Sequence, residues 1–305
     1  MKNYERWREI IKGLVIKKIA DFFYVETETD VYESKPRGSF KKDKQNIIVG
    51  DYVDISILDE ENKKAVVEKV YNRKNMLIRP SIANITKMIL VFSVKNPKLN
   101  TFLIDNFLVI AEKEQIDVVI CFSKIDLDEE KNYKNIIKIY QDIGYQTVEI
   151  SSNNNIGIED IKLKISGNIT VIAGPSGAGK SSLINCISDR FSQTTSDISM
   201  KLQKGKNTTT YATLLEFAKN SYIADTPGFT SLKITDIDKY ELKDYFLEFK
   251  KFEDDCKFAS KCIHEHEPYC GVKNAVQNGD IQKSRYDSYL KILDDIKKFE
   301  KRRKY

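Results

Sequence analysis

The chain has 305 residues, enough for two or three domains with cores of their own, and its net charge of +5 makes it neither strongly basic nor strongly acidic. No apolar run approaches the ~20 residues that a membrane span needs, the opening Met1-Lys2-Asn3-Tyr4-Glu5-Arg6 has no secretory apolar stretch, and five cysteines, an odd number, argue against a disulfide framework. A spanning protein and a secreted disulfide scaffold are set aside, and a cytoplasmic location is expected.

Residues 1–72 contain short β-like runs at 13–19, 22–26, 46–49, 51–58 and 65–70 with turn residues between them. Strands this short at this spacing predict a small barrel, of which the oligonucleotide-binding (OB) fold is a common form. Phe22, Phe23, Tyr24, Tyr32 and Phe40 could stack on bases, although aromatics in a small barrel more often form its core. Lys35, Arg37, Lys41, Lys42 and Lys44 cluster near Gly38. Such runs are usually solvated faces, with nucleic-acid contact as the alternative.

From 73 to 235 the pattern changes to strands alternating with helices, which predicts a mostly parallel, doubly wound domain. A strand is expected at 87–94 and an amphipathic helix at 102–114. The apolar run 118–122 then closes on Ser123-Lys124-Ile125-Asp126. An aspartate at that strand end can accept two hydrogen bonds from guanine N1–H and the N2 amino group, a pair that adenine does not offer, and Lys124 can lie along the base. A strand at 147–150 ends in Ser151 and Ser152, small polar residues suited to contacts around the base.

The buried-strand pattern 169–173 leads into Gly174-Pro175-Ser176-Gly177-Ala178-Gly179-Lys180-Ser181, followed by Ser182. This matches G-x-x-x-x-G-K-S, in which backbone N–H groups cradle phosphates, the Lys side chain reaches the β- and γ-phosphates and the Ser hydroxyl binds Mg²⁺. A helix over 180–190, with Leu183, Ile184 and Ile187 inward, sets the loop at a helix N-terminus, where anions are favoured. Gly205-Lys206-Asn207-Thr208-Thr209-Thr210 reads as a switch loop in which Thr208 or Thr209 could give Mg²⁺ a second hydroxyl. After a strand at 221–224, Asp225-Thr226-Pro227-Gly228 offers a carboxylate for a Mg²⁺-bound water and a Gly228 N–H for a γ-phosphate. All these parts belong to a GTPase, yet the base-reading motif precedes the phosphate loop. Because binding loops gather at the carboxyl ends of parallel strands, such a rotated order can still assemble one pocket.

Over 236–305, Cys256, Cys262, His264 and Cys270 fall within fifteen residues. Three cysteines and one histidine make a closed tetrahedral set for one structural zinc ion, with His266 a possible substitute for His264. Cys121 and Cys186 are expected to be plain core. Asp280 after Gly279 could cap a last helix whose Tyr286, Tyr289, Leu290, Leu293 and Ile296 form an inward stripe, and Lys297, Lys298, Lys301, Arg302, Arg303 and Lys304 form a basic tail.

With these residues assembled, the chain resembles the ribosome small subunit-dependent GTPase A (RsgA) family over nearly its full length. The resemblance rests on the rotated motif order, on Arg37-Gly38 and Val49-Gly50-Asp51-Tyr52-Val53, on Arg79-Pro80-Ser81-Ile82-Ala83-Asn84, and on Cys256-Lys257-Phe258 through Glu267-Pro268-Tyr269-Cys270. It implies an OB barrel at 1–72, a circularly permuted GTPase domain at 73–235 and a mostly helical zinc domain at 236–305. It further implies GTP and GDP as ligands with Mg²⁺, and the small ribosomal subunit with its 16S-type rRNA as partner to a monomer.

Three residues depart from that family's pattern. Ser123 stands where it has Asn, Asn207 stands where it commonly has His, and one extra residue separates Cys256 from Cys262. The residues after Gly228 are Phe229, Thr230, Ser231 and Leu232, none of them a good orienter of water, so intrinsic hydrolysis is expected to be slow until the subunit completes the site. An RNA-binding assembly scaffold with vestigial hydrolysis is the alternative reading.

Overall fold

The computed structural model describes residues 10–37, 46–78, 80–189, 212–225, 234 and 237–303. The chain divides into two units: Met1–Lys87 with Lys164–Val171 and Ser188–Gly228, and Met88–Leu163 with Ile172–Ile187 and Phe229–Tyr305.

The first unit opens with strands β1 (Ile10–Ile19), β2 (Phe22–Glu26), β3 (Val31–Pro36), β4 (Tyr52–Asp59) and β5 (Lys64–Val70). The first half of β1 pairs with β4 and its second half with β2. Pairings of β2 with β3, β3 with β5 and β5 with β4 complete the ring, so five strands close into the expected barrel. Where β1 passes from one partner to the other, a side chain on Gly13 would sit 2.4 Å from Val25 Cγ1 and 2.6 Å from the Glu26 carbonyl oxygen, so only glycine lets the strands approach. Val15, Phe23, Val25, Tyr32, Val53, Ile55, Ala65 and Val67 fill the interior.

One strand is a correction. The barrel uses Val31–Pro36, not 46–49, of which only Val49 bridges, to Ile82. Val31–Pro36 hides from pattern reading because its inward positions are Tyr32 and Ser34, one of them polar. Phe23 and Tyr32 are core, while Phe22 carries the Lys35 ammonium 4.6 Å over its ring and Phe40 lies outside the described residues.

A short hairpin, β6 (Met76–Leu77) with β7 (Ile82–Ala83), leads to β8 (Lys87–Ser93) and helix α1 (Thr101–Lys113). Both lie within a residue of the expected bounds, and Asn100 caps the helix by accepting the Leu103 N–H. Next come β9 (Asp117–Ser123), α2 (Lys134–Ile143) and β10 (Gln146–Ile150), with β9 flanked by β8 and by parallel β10. Helix α3 (Ile158–Ile165) precedes β11 (Ile169–Ala173), and α4 (Lys180–Asp189) follows it. In the first unit, β12 (Thr213–Ala218) pairs antiparallel with β13 (Ser221–Asp225), Tyr222–Ala224 runs parallel to Ile169–Val171, and Thr213 bridges Lys17 of the barrel.

The second unit ends in 3-10 turns at Leu242–Tyr245, Leu247–Asp255 and Ala259–Lys261, then α5 (Gly271–Asn278) and α6 (Lys283–Arg303). Tyr289, Leu293 and Ile296 are buried as the stripe predicted, with Phe246, Phe249 and the three clustered cysteines around them. Asp280 does not cap α6. Gly279 (φ +85°) closes α5 instead, and the Asp280 N–H returns to the Ala275 carbonyl in a Schellman turn. The basic tail is partly tied down, because α6 runs through it, Lys297 pairs with Glu265 and Lys298 pairs with Asp294 at 2.5 Å.

Arg285 is among the largest fully buried side chains. Its guanidinium meets Asp105 of α1 at 2.6 Å and Glu248 at 2.7 and 3.1 Å, and Tyr140 of α2 donates to the same Asp105 oxygen at 3.0 Å. Burial opposes its charge, but the two carboxylates hold it well above the ordinary arginine value. Arg285→Met strands both carboxylates in the interior, and the second unit should lose about 3–5 kcal/mol of stability. Urea unfolding followed at the intrinsic fluorescence of the tyrosines measures that loss.

Candidate nucleotide site and metal-ligand cluster

The phosphate loop occupies the space between the end of β11 and the start of α4, as its sequence requires. A side chain on Gly174 (φ +139°) would come 2.1 Å from the Val91 carbonyl oxygen, so β8 passes too close to admit anything but glycine. Gly177 and Gly179 also have positive φ, at +76° and +98°. Lys180 folds back over the loop and donates to the Gly174 and Pro175 carbonyls, both at 2.7 Å. Burial lowers its pKa, which marks an ammonium short of solvent beside a helix N-terminus, the setting that an anion relieves. Ser176, Ser181 and Ser182 are exposed around it.

The guanine-reading segment is joined to this loop. The Ser123 hydroxyl donates to the Ala178 carbonyl at 2.5 Å, so serine keeps a link to the phosphate loop even though it is shorter than the Asn expected at this position. Lys124, held in the left-handed region at φ +58°, donates to the Gly177 carbonyl at 2.7 Å and to the Asn96 carbonyl at 2.5 Å. Asp126 accepts the Ser151 hydroxyl at 2.6 Å, and that bond, more than anything else, holds its carboxyl below the usual range. It is therefore an anionic double acceptor at neutral pH. Ser151 is fully buried and Ser152 half-buried.

The structure thus brings Ser123, Lys124, Asp126 and Ser151 together and joins the first two to the phosphate loop. Sequence reading missed Asn96, whose carbonyl anchors Lys124, and Asn153, whose amide reaches Asp126 at 3.3 Å. A backbone acceptor leaves no trace in sequence, and Asn153 was signalled only by the polar run after Ser152. Asp225 ends β13, but its side chain, like all of Thr208, Thr209 and Gly228, lies outside the described residues, as do Gly38, Arg79 and Asn207.

In the C-terminal part, one ligand atom each from Cys256, Cys262, His264 and Cys270 lies within 4.8 Å of all the others, and all four residues are buried. Cys270 Sγ is 3.8 and 3.9 Å from the other two sulfurs, and His264 Nδ1 is 3.2–3.6 Å from the three. A tetrahedral zinc with bonds of about 2.3 Å to sulfur and about 2.0 Å to nitrogen would set those spacings near ~3.8 and ~3.5 Å. Without a cation, burial pushes the Cys262 thiol up to about 12 and His264 down to about 4; a dication would draw the sulfur into its thiolate form, and it needs the imidazole neutral, as burial already keeps it. The cluster therefore fits such an ion. Tyr289 and Tyr286 hydroxyls donate to the Ile263 and His264 carbonyls at 2.7 and 2.6 Å, and Glu267 accepts the Ile263 and Glu265 N–H groups at 2.8 Å, which shapes the turn. His266 points to solvent. Cys121 is buried, whereas Cys186 is only half-buried.

A phosphate loop on a strand-to-helix turn, tied to a base-reading aspartate that precedes it in the chain, defines a circularly permuted P-loop GTPase. The comparisons agree. A family model described as RsgA GTPase matches residues 70–235 and one described as RsgA N-terminal domain matches 12–67. The protein named small ribosomal subunit biogenesis GTPase RsgA in Alkaliphilus metalliredigens is 44% identical over 287 residues, covering 94% of this chain and 98% of the relative. Its namesake in Clostridium acetobutylicum is 43% identical, covering 97% and 100%. The crystal structure of YjeQ from Thermotoga maritima superposes with a TM-score of 0.82 at 38% identity, covering 94% of this chain and 99% of that one. That of YloQ, described as a circularly permuted GTPase, gives 0.79 at 33%, covering 97% and 98%. The chain belongs to the RsgA GTPase family.

Proposed function

We propose that this protein hydrolyses GTP to GDP and phosphate during late assembly of the small ribosomal subunit, and that the subunit stimulates the reaction. The observation that carries this reading is the stitching of Asp126's segment to the phosphate loop through Ser123 and Lys124, which makes one site of base and phosphate recognition. Asp126 and Ser151 select the base, with Ser152 beside them. Residues 174–182 cradle the phosphates, and Lys180 neutralises charge that grows on the transferred phosphoryl group. Mg²⁺ would be held by Ser181, with Thr209 as its expected second hydroxyl, and it would offset phosphate charge. Asp225, Gly228 and Thr208 complete the expected set.

The domain limits 1–72, 73–235 and 236–305 belong to the same reading. Zinc would be the ion of the Cys256, Cys262, His264 and Cys270 cluster, with a structural role because all four positions are filled by protein. Contact with 16S-type rRNA is assigned to the barrel and the C-terminal domain. On the barrel, the Lys12 ammonium lies 5.5 and 4.8 Å over the Tyr52 and Tyr71 rings, and Lys69 lies 4.7 Å over Tyr71, a combination of charge and ring face that suits a nucleic-acid backbone and its bases. No helix among the described residues is long and apolar enough to cross a membrane. The protein is taken to act as a cytoplasmic monomer.

None of Phe229, Thr230, Ser231 and Leu232 is a residue type that orients water well, so the subunit is the natural source of that order. Multiple-turnover GTP hydrolysis should rise at least about tenfold when purified small subunits are added, a small part of what completing a phosphoryl-transfer site in trans can supply. Unchanged turnover would sink the activation and favour a scaffold with vestigial hydrolysis.

A further inference from the structure

The base-reading end holds a contact that the motifs do not require. After β10, Ser151 and Ile156 exchange backbone hydrogen bonds at 3.2 and 3.0 Å, and the Asn154 N–H donates to the Ser151 hydroxyl at 3.3 Å. That turn aims Asn153 at Asp126. Its amide nitrogen lies 3.3 Å from Oδ2 while the Ser151 hydroxyl lies 2.6 Å from Oδ1, so each carboxylate oxygen has a donor of its own. The two oxygens together offer four lone-pair directions, so these donors still leave the carboxylate capacity to accept from a base.

Ser123 makes this second donor matter more. Its hydroxyl carries a single proton, already given to the Ala178 carbonyl, and the side chain is buried. Nothing at position 123 is left to donate to a base. Asp126 itself is only half-buried, and a terminal carboxylate torsion is broad, so one donor alone leaves its plane free to swing.

We propose that Asn153 is a specificity-determining positioning residue: together with Ser151 it locks the Asp126 carboxylate in the plane that guanine requires. The proposal rests on the guanine-nucleotide reading above. Guanine presents two donors on this edge, N1–H and the N2 amino group, and needs both oxygens at once. Hypoxanthine lacks the amino group and needs only one. A carboxylate pinned at both oxygens therefore discriminates between them, and one pinned only by Ser151 discriminates less.

The test is titration calorimetry of the full chain with GDP and with IDP, each with Mg²⁺. Asn153→Ala should weaken GDP about tenfold, the order expected for losing a hydrogen bond to a charged group, and IDP by no more than about threefold. The GDP-to-IDP preference then shrinks. Thermal unfolding should not change, because Asn153 is exposed and its turn is held by main-chain bonds and Ser151. Equal weakening of both nucleotides, or of neither, overturns the proposal. Asp126→Asn separates it from the reading beneath it, since that change should move the preference from GDP toward the xanthine nucleotide. If it does so while Asn153→Ala is silent, only the Asn153 role falls; if Asp126→Asn leaves GDP binding intact, both fall.

Discussion

Lys180→Ala will leave a folded protein whose GTP hydrolysis, measured with small subunits present, is slower by at least about a hundredfold, the usual cost of deleting one preorganised donor at developing charge. The ammonium is the side-chain cation bonded to the phosphate loop's own backbone at Gly174 and Pro175. Those carbonyls hold it in place before any nucleotide arrives, so little reorganisation is left for the reaction itself. Burial has already raised the free energy of its charged form. A phosphate repays that, which is why affinity for GTP should fall together with rate. Alanine fits the position sterically, and α4 starts well with it, so the melting temperature should stay within a few degrees. Single-turnover hydrolysis at saturating GTP isolates the chemical step, and a rate within threefold of the parent would remove Lys180 from the role assigned to it.

The second large effect concerns the buried cluster. Protein purified without chelator should contain one zinc per chain by elemental analysis, and Cys262→Ala should lose it. Structural zinc sites contribute apparent binding energies of about 10–16 kcal/mol near neutral pH, more than most domains have in total stability. The three sulfurs here belong to the same core cluster as Phe249, Tyr289 and Leu293. Losing the ion should therefore loosen residues 242–303 as a block. Hydrogen exchange is the appropriate measurement, with amides of α5 and α6 moving toward unprotected rates while those of β2, β4 and β5 keep theirs. Full protection of α5 and α6 in Cys262→Ala, or in metal-free parent protein, would show that packing alone holds this part.

The parts most legible in sequence were those where chemistry dictates residue type. Gly174 and Lys180 could be named in advance because a backbone must approach β8 and a cation must meet phosphates, and few residues do either. Cys256, Cys262, His264 and Cys270 were legible for the same reason. Strands β2, β4 and β5 were found within a residue or so because apolar and polar side chains alternate along them, whereas β3 was missed because Ser34 takes an inward position that pattern reading reserves for an apolar residue. The start of α6 was misjudged because Gly279-Asp280 reads equally as a stop and as a start, and only the return bond to Ala275 decides. Asn96 and Asn153 could not be foreseen, since their partners lie 28 and 27 positions away in the chain.

The joint between the base half and the phosphate half of the site has its own consequence. Each of its acceptors, at Asn96, Gly177 and Ala178, is a peptide carbonyl, a group that all twenty amino acids possess. The exposed side chain at position 96 is thus free to drift without unfastening the pocket, position 178 is held small only by the close packing around its buried alanine, and the burden of bonding falls on the two donors. A short hydroxyl can stand at 123 because what it must touch is main chain, which never mutates.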